Sequence, residues 1–237
     1  MIRLSLLVFI AFLGGFIFAQ TGTYADSIVP KHPRFQSHFI EAHSQISPKD
    51  SFDVIFIGSS SIRGWKTLKE DFSPYRVMNM GFGGSTLVDL NLRFPEWIRP
   101  LRAKVVVLYI GENDLSLPYA TLPDILEQFN LLMSQLVLHW PRTHLVYISV
   151  KPSIKSAEFL EKQQAFNTMA EEIIHGMNQK NKRCTWVNLH HEMLDGTGKA
   201  KRSLFLKDGL HMNTEGYALW KRKLRPVIDS LLQPNNY

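Results

Sequence analysis

The chain has 237 residues, 45% of them hydrophobic and 20% charged, a balance that excludes a wholly disordered polypeptide and suits one α/β domain with a sizeable core. Its 27 basic and 21 acidic side chains leave a net charge of +6. The basic residues are scattered in short runs, which reads as solvated surface, and no nucleic-acid partner is expected.

In chain order, Arg3 is followed by an uncharged stretch over residues 4–25, most apolar over 4–19, with small residues at Thr23 and Ala25. A basic start, an apolar run and small residues at its end form the pattern of a secretory signal. Residues 1–25 are therefore expected to direct export, giving a secreted or periplasmic protein. If no cleavage follows, residues 4–19 would tether it to a membrane, being near the lower length limit for a span. Residues 26–49 are polar, carry Pro30, Pro33 and Pro48, and read as an extension with one short helix near 35–46. Cys184 is the sole cysteine, so no internal disulfide can form.

From residue 50 onward the pattern changes. The apolar run at 54–57 is ended by Gly58 and three serines, which predicts a buried parallel strand. Similar runs recur at 77–80, 105–110, 145–150 and 185–189, separated by helical segments at 87–97, 123–140 and 157–181. A last helix is expected from 215 to about 232. Strands alternating with helices imply one domain over 50–237, with a parallel sheet covered on both faces. Such sheets bind ligands beyond the carboxyl ends of their strands. There the sequence places Gly58-Ser59-Ser60-Ser61, Gly81-Phe82-Gly83-Gly84-Ser85, Gly111-Glu112-Asn113-Asp114, Lys151-Pro152-Ser153 and His190-His191. Asp208-Gly209-Leu210-His211 comes just before the final helix.

These residue types point to acyl transfer. A serine hydroxyl is a poor nucleophile until a base removes its proton. His211 can be that base if Asp208 fixes its tautomer, and Asp-x-x-His lets one loop carry both. Backbone N–H groups at Ser60 and Gly84, with the side-chain amide of Asn113, could stabilise the developing oxyanion. Asp208 could instead cap the final helix, and Asn113 could be a turn residue. Asp114 reads as a brace for its loop, and Ser59 and Ser61 as residues that hold the turn through side-chain hydrogen bonds. Trp65 either lines the site entrance or packs in the core.

Four separated blocks resemble the SGNH (GDSL-type) hydrolase family. They are Ile57-Gly58-Ser59-Ser60-Ser61-Ile62-Arg63-Gly64-Trp65, Asn79-Met80-Gly81-Phe82-Gly83-Gly84-Ser85-Thr86, Tyr109-Ile110-Gly111-Glu112-Asn113-Asp114 and Asp208-Gly209-Leu210-His211-Met212-Asn213. The second block and Lys151-Pro152-Ser153 resemble the branch related to platelet-activating-factor acetylhydrolases. The resemblance implies a flavodoxin-like three-layer α/β/α sandwich. It also implies a catalytic set of Ser60, Asp208 and His211, and an oxyanion hole at Ser60, Gly84 and Asn113. The family's usual Gly-Asp-Ser is Gly58-Ser59-Ser60 here, and the register counted back from Trp65 selects Ser60 as nucleophile.

The expected activity is a serine esterase acting on a small-molecule or glycan ester, with a short acyl such as acetyl on a carbohydrate or lipid-like alcohol. An acyltransferase using the same acyl-enzyme, and a non-catalytic carbohydrate- or lipid-binding module, are the alternatives. No metal or organic cofactor is expected. His190-His191 with Glu192 lacks the spacing of common zinc motifs and reads as a surface or strand-end group. The glycines at 81, 83 and 84 complete no nucleotide-binding fingerprint.

Overall fold

Four consecutive side chains of β1 (Phe52–Gly58), Val54, Ile55, Phe56 and Ile57, are each at most 1% exposed. Side chains alternate across a strand, so Val54 and Phe56 enter one core while Ile55 and Ile57 enter another. Burial on both faces is the mark of a parallel sheet sandwiched between helices. The sheet is completed by β2 (Val77–Gly81), β3 (Ala103–Tyr109), β4 (His144–Ile148) and β5 (Cys184–Val187), all parallel, in the order β2-β1-β3-β4-β5. That is the flavodoxin-like order. The computed structural model describes residues 50–179 and 183–233. The expected export segment and the helix near 35–46 lie outside the described residues.

One layer consists of α3 (Leu87–Arg93), α5 (Leu122–His139) and α6 (Leu160–Gln179), packed on the Ile55 and Ile57 side. The opposite layer contains α1 (Ser60–Arg63), α2 (Leu68–Asp71) and α7 (Thr214–Leu231). A further short helix, α4 (Glu112–Leu115), follows β3. Capping boxes at Thr86/Asp89 and Thr121/Asp124 start α3 and α5. The expected helix at 87–97 changes character at Phe94–Ile98, which forms a π turn. Pro95 lacks the N–H that an α-helical ladder needs there. Among the described residues, no helix is long and apolar enough to cross a membrane.

Three strands stop short of their apolar runs. Ile110, Val150 and Leu189 are fully buried yet leave the ladder. Their backbone groups are met by side chains instead: the Tyr147 hydroxyl on the Ile110 carbonyl, the Asn167 amide on both groups of Val150, and Ser149 Oγ accepting from Leu189 N. Hydrophobicity extends past the last strand residue, while the hydrogen-bond partners that end the strand come from distant elements. Trp65, 1% exposed, packs against Phe56, Phe72 and Trp220, so it is core and not entrance. Cys184 is likewise buried.

The turn that delivers the first site residue depends on Gly58. Its φ is +155°, and a Cβ there would stand 2.0 Å from the Tyr109 carbonyl oxygen, a backbone atom that cannot move aside. Gly58→Ala is therefore expected to lower stability by about 3 kcal/mol or more, combining backbone strain and overpacking. A urea midpoint within error of wild type would contradict this.

Candidate active site

In the order β2-β1-β3-β4-β5 the chain reverses its direction of travel across the sheet between β1 and β3. A crevice opens at such a switch point beyond the strands' carboxyl ends. Ser60 follows β1 there as the first residue of α1, and Glu112 and Asn113 follow β3 in α4. As the first helical residue, Ser60 has an N–H with no acceptor inside the helix. Ser59 N donates to the Tyr109 carbonyl at 3.1 Å, and the Ser59 carbonyl accepts from Ile62 and Arg63.

His211 arrives from the other end of the chain. An antiparallel bridge between Phe205 and Met212 closes the loop that carries it, and Leu206 N donates to the His211 carbonyl at 2.8 Å. The Gly209 carbonyl accepts from Ile154 and Lys155, tying the same loop to the segment after β4. His211 Nε2 then lies 3.1 Å from Ser60 Oγ, between residues 151 apart in sequence. His211 Nδ1 lies 2.6 Å from Asp208 Oδ2. Asp208 Oδ1 accepts from the N–H groups of Leu210 and His211, at 2.9 and 3.0 Å.

These bonds fix the proton positions. The hydrogen bond from the His211 ring, then the backbone N–H groups of Leu210 and His211, hold the Asp208 carboxyl well below the usual carboxylate range. An ionised carboxylate only accepts, so Nδ1 carries the ring proton in neutral His211 and the Nε2 lone pair faces Ser60. Asp208 does not cap the final helix; Asn213 does, accepting from Gly216 N.

The oxyanion candidates Gly84 and Asn113 follow β2 and β3, the strands on either side of β1. Gly84 follows β2 with φ +77°, in the left-handed region that favours glycine. Among the described residues nothing accepts from the N–H of Ser60 or Gly84. Asn113 Nδ2 donates one hydrogen to the Ser85 carbonyl at 2.8 Å, which pins the amide beside the glycine loop and leaves its second hydrogen free to point elsewhere. Asp114 is fully buried and accepts from Leu87 N at 2.9 Å, bracing the start of α3.

One expectation needs correction. Ser59 does not hold the turn with its side chain: its Oγ is buried with no partner among the described residues, and the turn is held by backbone bonds together with the Tyr217 hydroxyl on the Ser61 carbonyl and the Asn79 amide on the Ile62 carbonyl. Of the two readings of His190 the strand-end one holds: it follows β5 and is 6% exposed, with Nδ1 against the Val150 carbonyl. Burial holds its imidazole below the usual range, favouring the neutral ring. Among the described residues no cluster of three metal-ligating side chains occurs. The sequence also concealed an ion pair beneath the His211 loop, between Lys151 Nζ and Glu112 Oε1 at 2.6 Å. Each residue was visible at a strand end, but no spacing links positions on different strands.

The comparisons agree with this architecture. The model of the GDSL-like lipase/acylhydrolase family matches residues 56–219. No curated protein matches the chain significantly. Among solved structures, the fold is similar to a protein from Streptococcus pneumonia named for platelet activating factor, with a TM-score of 0.70, 18% identity, and 82% of this chain and 92% of that one covered. A GDSL-like lipase from Bacteroides thetaiotaomicron gives a TM-score of 0.68 at 22% identity, covering 84% and 98%. The acetylxylan esterase Axe2 from Geobacillus stearothermophilus gives 0.58 at 15% identity, covering 76% and 94%. With the family model spanning both the Ser60 and the His211 segments, the chain belongs to the GDSL-like lipase/acylhydrolase (SGNH) family of ester hydrolases.

Proposed function

We propose that the protein is a serine esterase that removes a short acyl group, acetyl foremost, from a carbohydrate or lipid-like alcohol through an acyl-Ser60 intermediate. The observation that carries the proposal is the hydrogen-bonded chain from Ser60 through His211 to Asp208. In the first half-reaction Ser60 Oγ bonds to the ester carbonyl carbon while its proton passes to His211 Nε2. Negative charge moves onto the carbonyl oxygen, where the N–H groups of Ser60 and Gly84 and the Asn113 amide would meet it. The C–O bond to the alcohol then breaks, and the alcohol leaves with the proton from Nε2. In the second half-reaction Nε2 takes a proton from water, the hydroxide adds to the acyl carbon, and Ser60 Oγ departs with that proton. The products are a free acid and regenerated enzyme.

Two features support a short acyl on a bulky alcohol. The Asp208 and His211 side chains are 45% and 39% exposed, so the leaving alcohol would meet its proton donor at a solvent-open position. The fold is shared with an acetylxylan esterase, which offers acetyl and carbohydrate by analogy. Residues 1–25 would export the enzyme in this proposal.

The test is a panel of p-nitrophenyl esters and acetylated xylo-oligosaccharides. Acetyl esters should exceed octanoyl esters in kcat/KM by at least about tenfold, since each misplaced methylene is worth a factor of that order. The reverse order would remove acetyl from the proposal. Absence of an acyl-enzyme by mass spectrometry, in enzyme quenched during turnover, would remove the Ser60 intermediate.

A further inference from the structure

Beneath the loop that carries His211 lies a polar cluster far more buried than the catalytic groups themselves. Lys151 is fully buried and Glu112 is 5% exposed. The Lys151 ammonium donates to Glu112 Oε1 at 2.6 Å and to the Leu210 carbonyl at 2.9 Å. The other Glu112 oxygen accepts from the Tyr109 hydroxyl at 2.8 Å, and that hydroxyl in turn accepts from Lys151 N at 3.4 Å. Burial, with the Glu112 charge beside it, pushes the Tyr109 phenol well above its ordinary range, so it stays a donor. The ammonium also sits 5.5 Å from the centroid of the Phe205 ring, on the opposite strand of the His211 loop.

Burying two charges is costly, and well-packed apolar residues often replace such a pair without loss of stability. Stability is thus a weak reason for this cluster, and its geometry supplies a stronger one. Leu210 is the residue before His211, and its carbonyl belongs to the peptide unit whose N–H donates to Asp208. One ammonium therefore holds the peptide plane that links the two members of the acid–base pair. It anchors that plane to α4, just after β3, through Glu112, and to the segment after β4 through its own backbone.

We propose that Lys151, fixed by Glu112, is a positioning residue that sets the His211 ring against Ser60. The proposal rests on His211 being the general base. Fixing the base within a fraction of an ångström matters because a displacement of about 1 Å can cost about 10²-fold in rate.

The test replaces both charges together, as Lys151→Met/Glu112→Gln, so that neither is left buried alone and the introduced side-chain amide still accepts from Tyr109. The expected result is a folded enzyme whose kcat falls about 10²-fold with KM within about twofold of wild type. The downfield proton resonance of His211 Nδ1–H in the Asp208 bond should broaden or vanish, a change that a merely structural cluster would not produce. Wild-type kcat with an intact resonance in the folded double variant would overturn the proposal. Should the double variant not fold, Lys151→Met alone removes the same donor to the Leu210 carbonyl. Its kcat and resonance decide in the same way. His211→Ala, run in parallel, separates the two levels of inference. Turnover surviving in it would refute the base itself, whereas turnover lost in it but retained in the Lys151 variants refutes only the positioning role.

Discussion

Ser60→Ala should lower kcat on the order of 10⁶-fold, the loss found when a serine nucleophile is removed from a base-activated set. His211 Nε2 would face a methyl group, and Asp208 would go on orienting an idle ring. The informative control is Ser59→Ala. Ser59 Oγ is buried without a partner among the described residues, so its removal deletes no bond and should leave both kcat/KM and stability near wild type. A steady-state ester assay on the two variants decides between the serines. Activity lost in Ser59→Ala and kept in Ser60→Ala would shift the nucleophile by one residue and dismantle the proposed mechanism.

Asp208→Asn should reduce kcat by about 10⁴-fold while the fold persists. An amide can hold His211 in place, but it no longer demands a proton on Nδ1, so the lone pair needed at Nε2 is not secured. The carboxyl of Asp208 is held low by its bond from His211 and by two backbone N–H groups. A depressed carboxyl contributes stability above the ordinary aspartate value of about 3.9, and the contribution is lost as pH falls through the lower folded value. Asp208 therefore stays ionised across the range where an esterase would be assayed. Wild-type kcat in a folded Asp208→Asn variant, read in the same steady-state assay, would contradict the proton positions described above.

Much of the domain was legible in the sequence for a simple reason. A parallel strand buried on both faces needs an unbroken apolar run, and five such runs stand out between amphipathic segments. The candidate site was legible too, because glycine, serine, asparagine and histidine interrupt those runs where strands end. Element boundaries were less so. Ile110, Val150 and Leu189 look like strand residues, and only Tyr147, Asn167 and Ser149, reaching across from other elements, show why the ladder stops before them. The short helices α1, α2 and α4 were also missed, since a single turn carries no periodicity to detect.

The sequence by itself determined the class of fold, the set of candidate reacting groups and the family. It did so because alternation of strand and helix, and the residue types at strand ends, are local properties of the chain. Only the tertiary structure decided which of those groups meet. It brought His211 to Ser60 across 151 residues, left the Ser59 hydroxyl without a partner among the described residues, buried His190, and joined Lys151 to Glu112 beneath Leu210. Each of these depends on the distance between side chains from different strands and loops. Strand order and loop path set that distance, and neither is written in the spacing of residues along one segment.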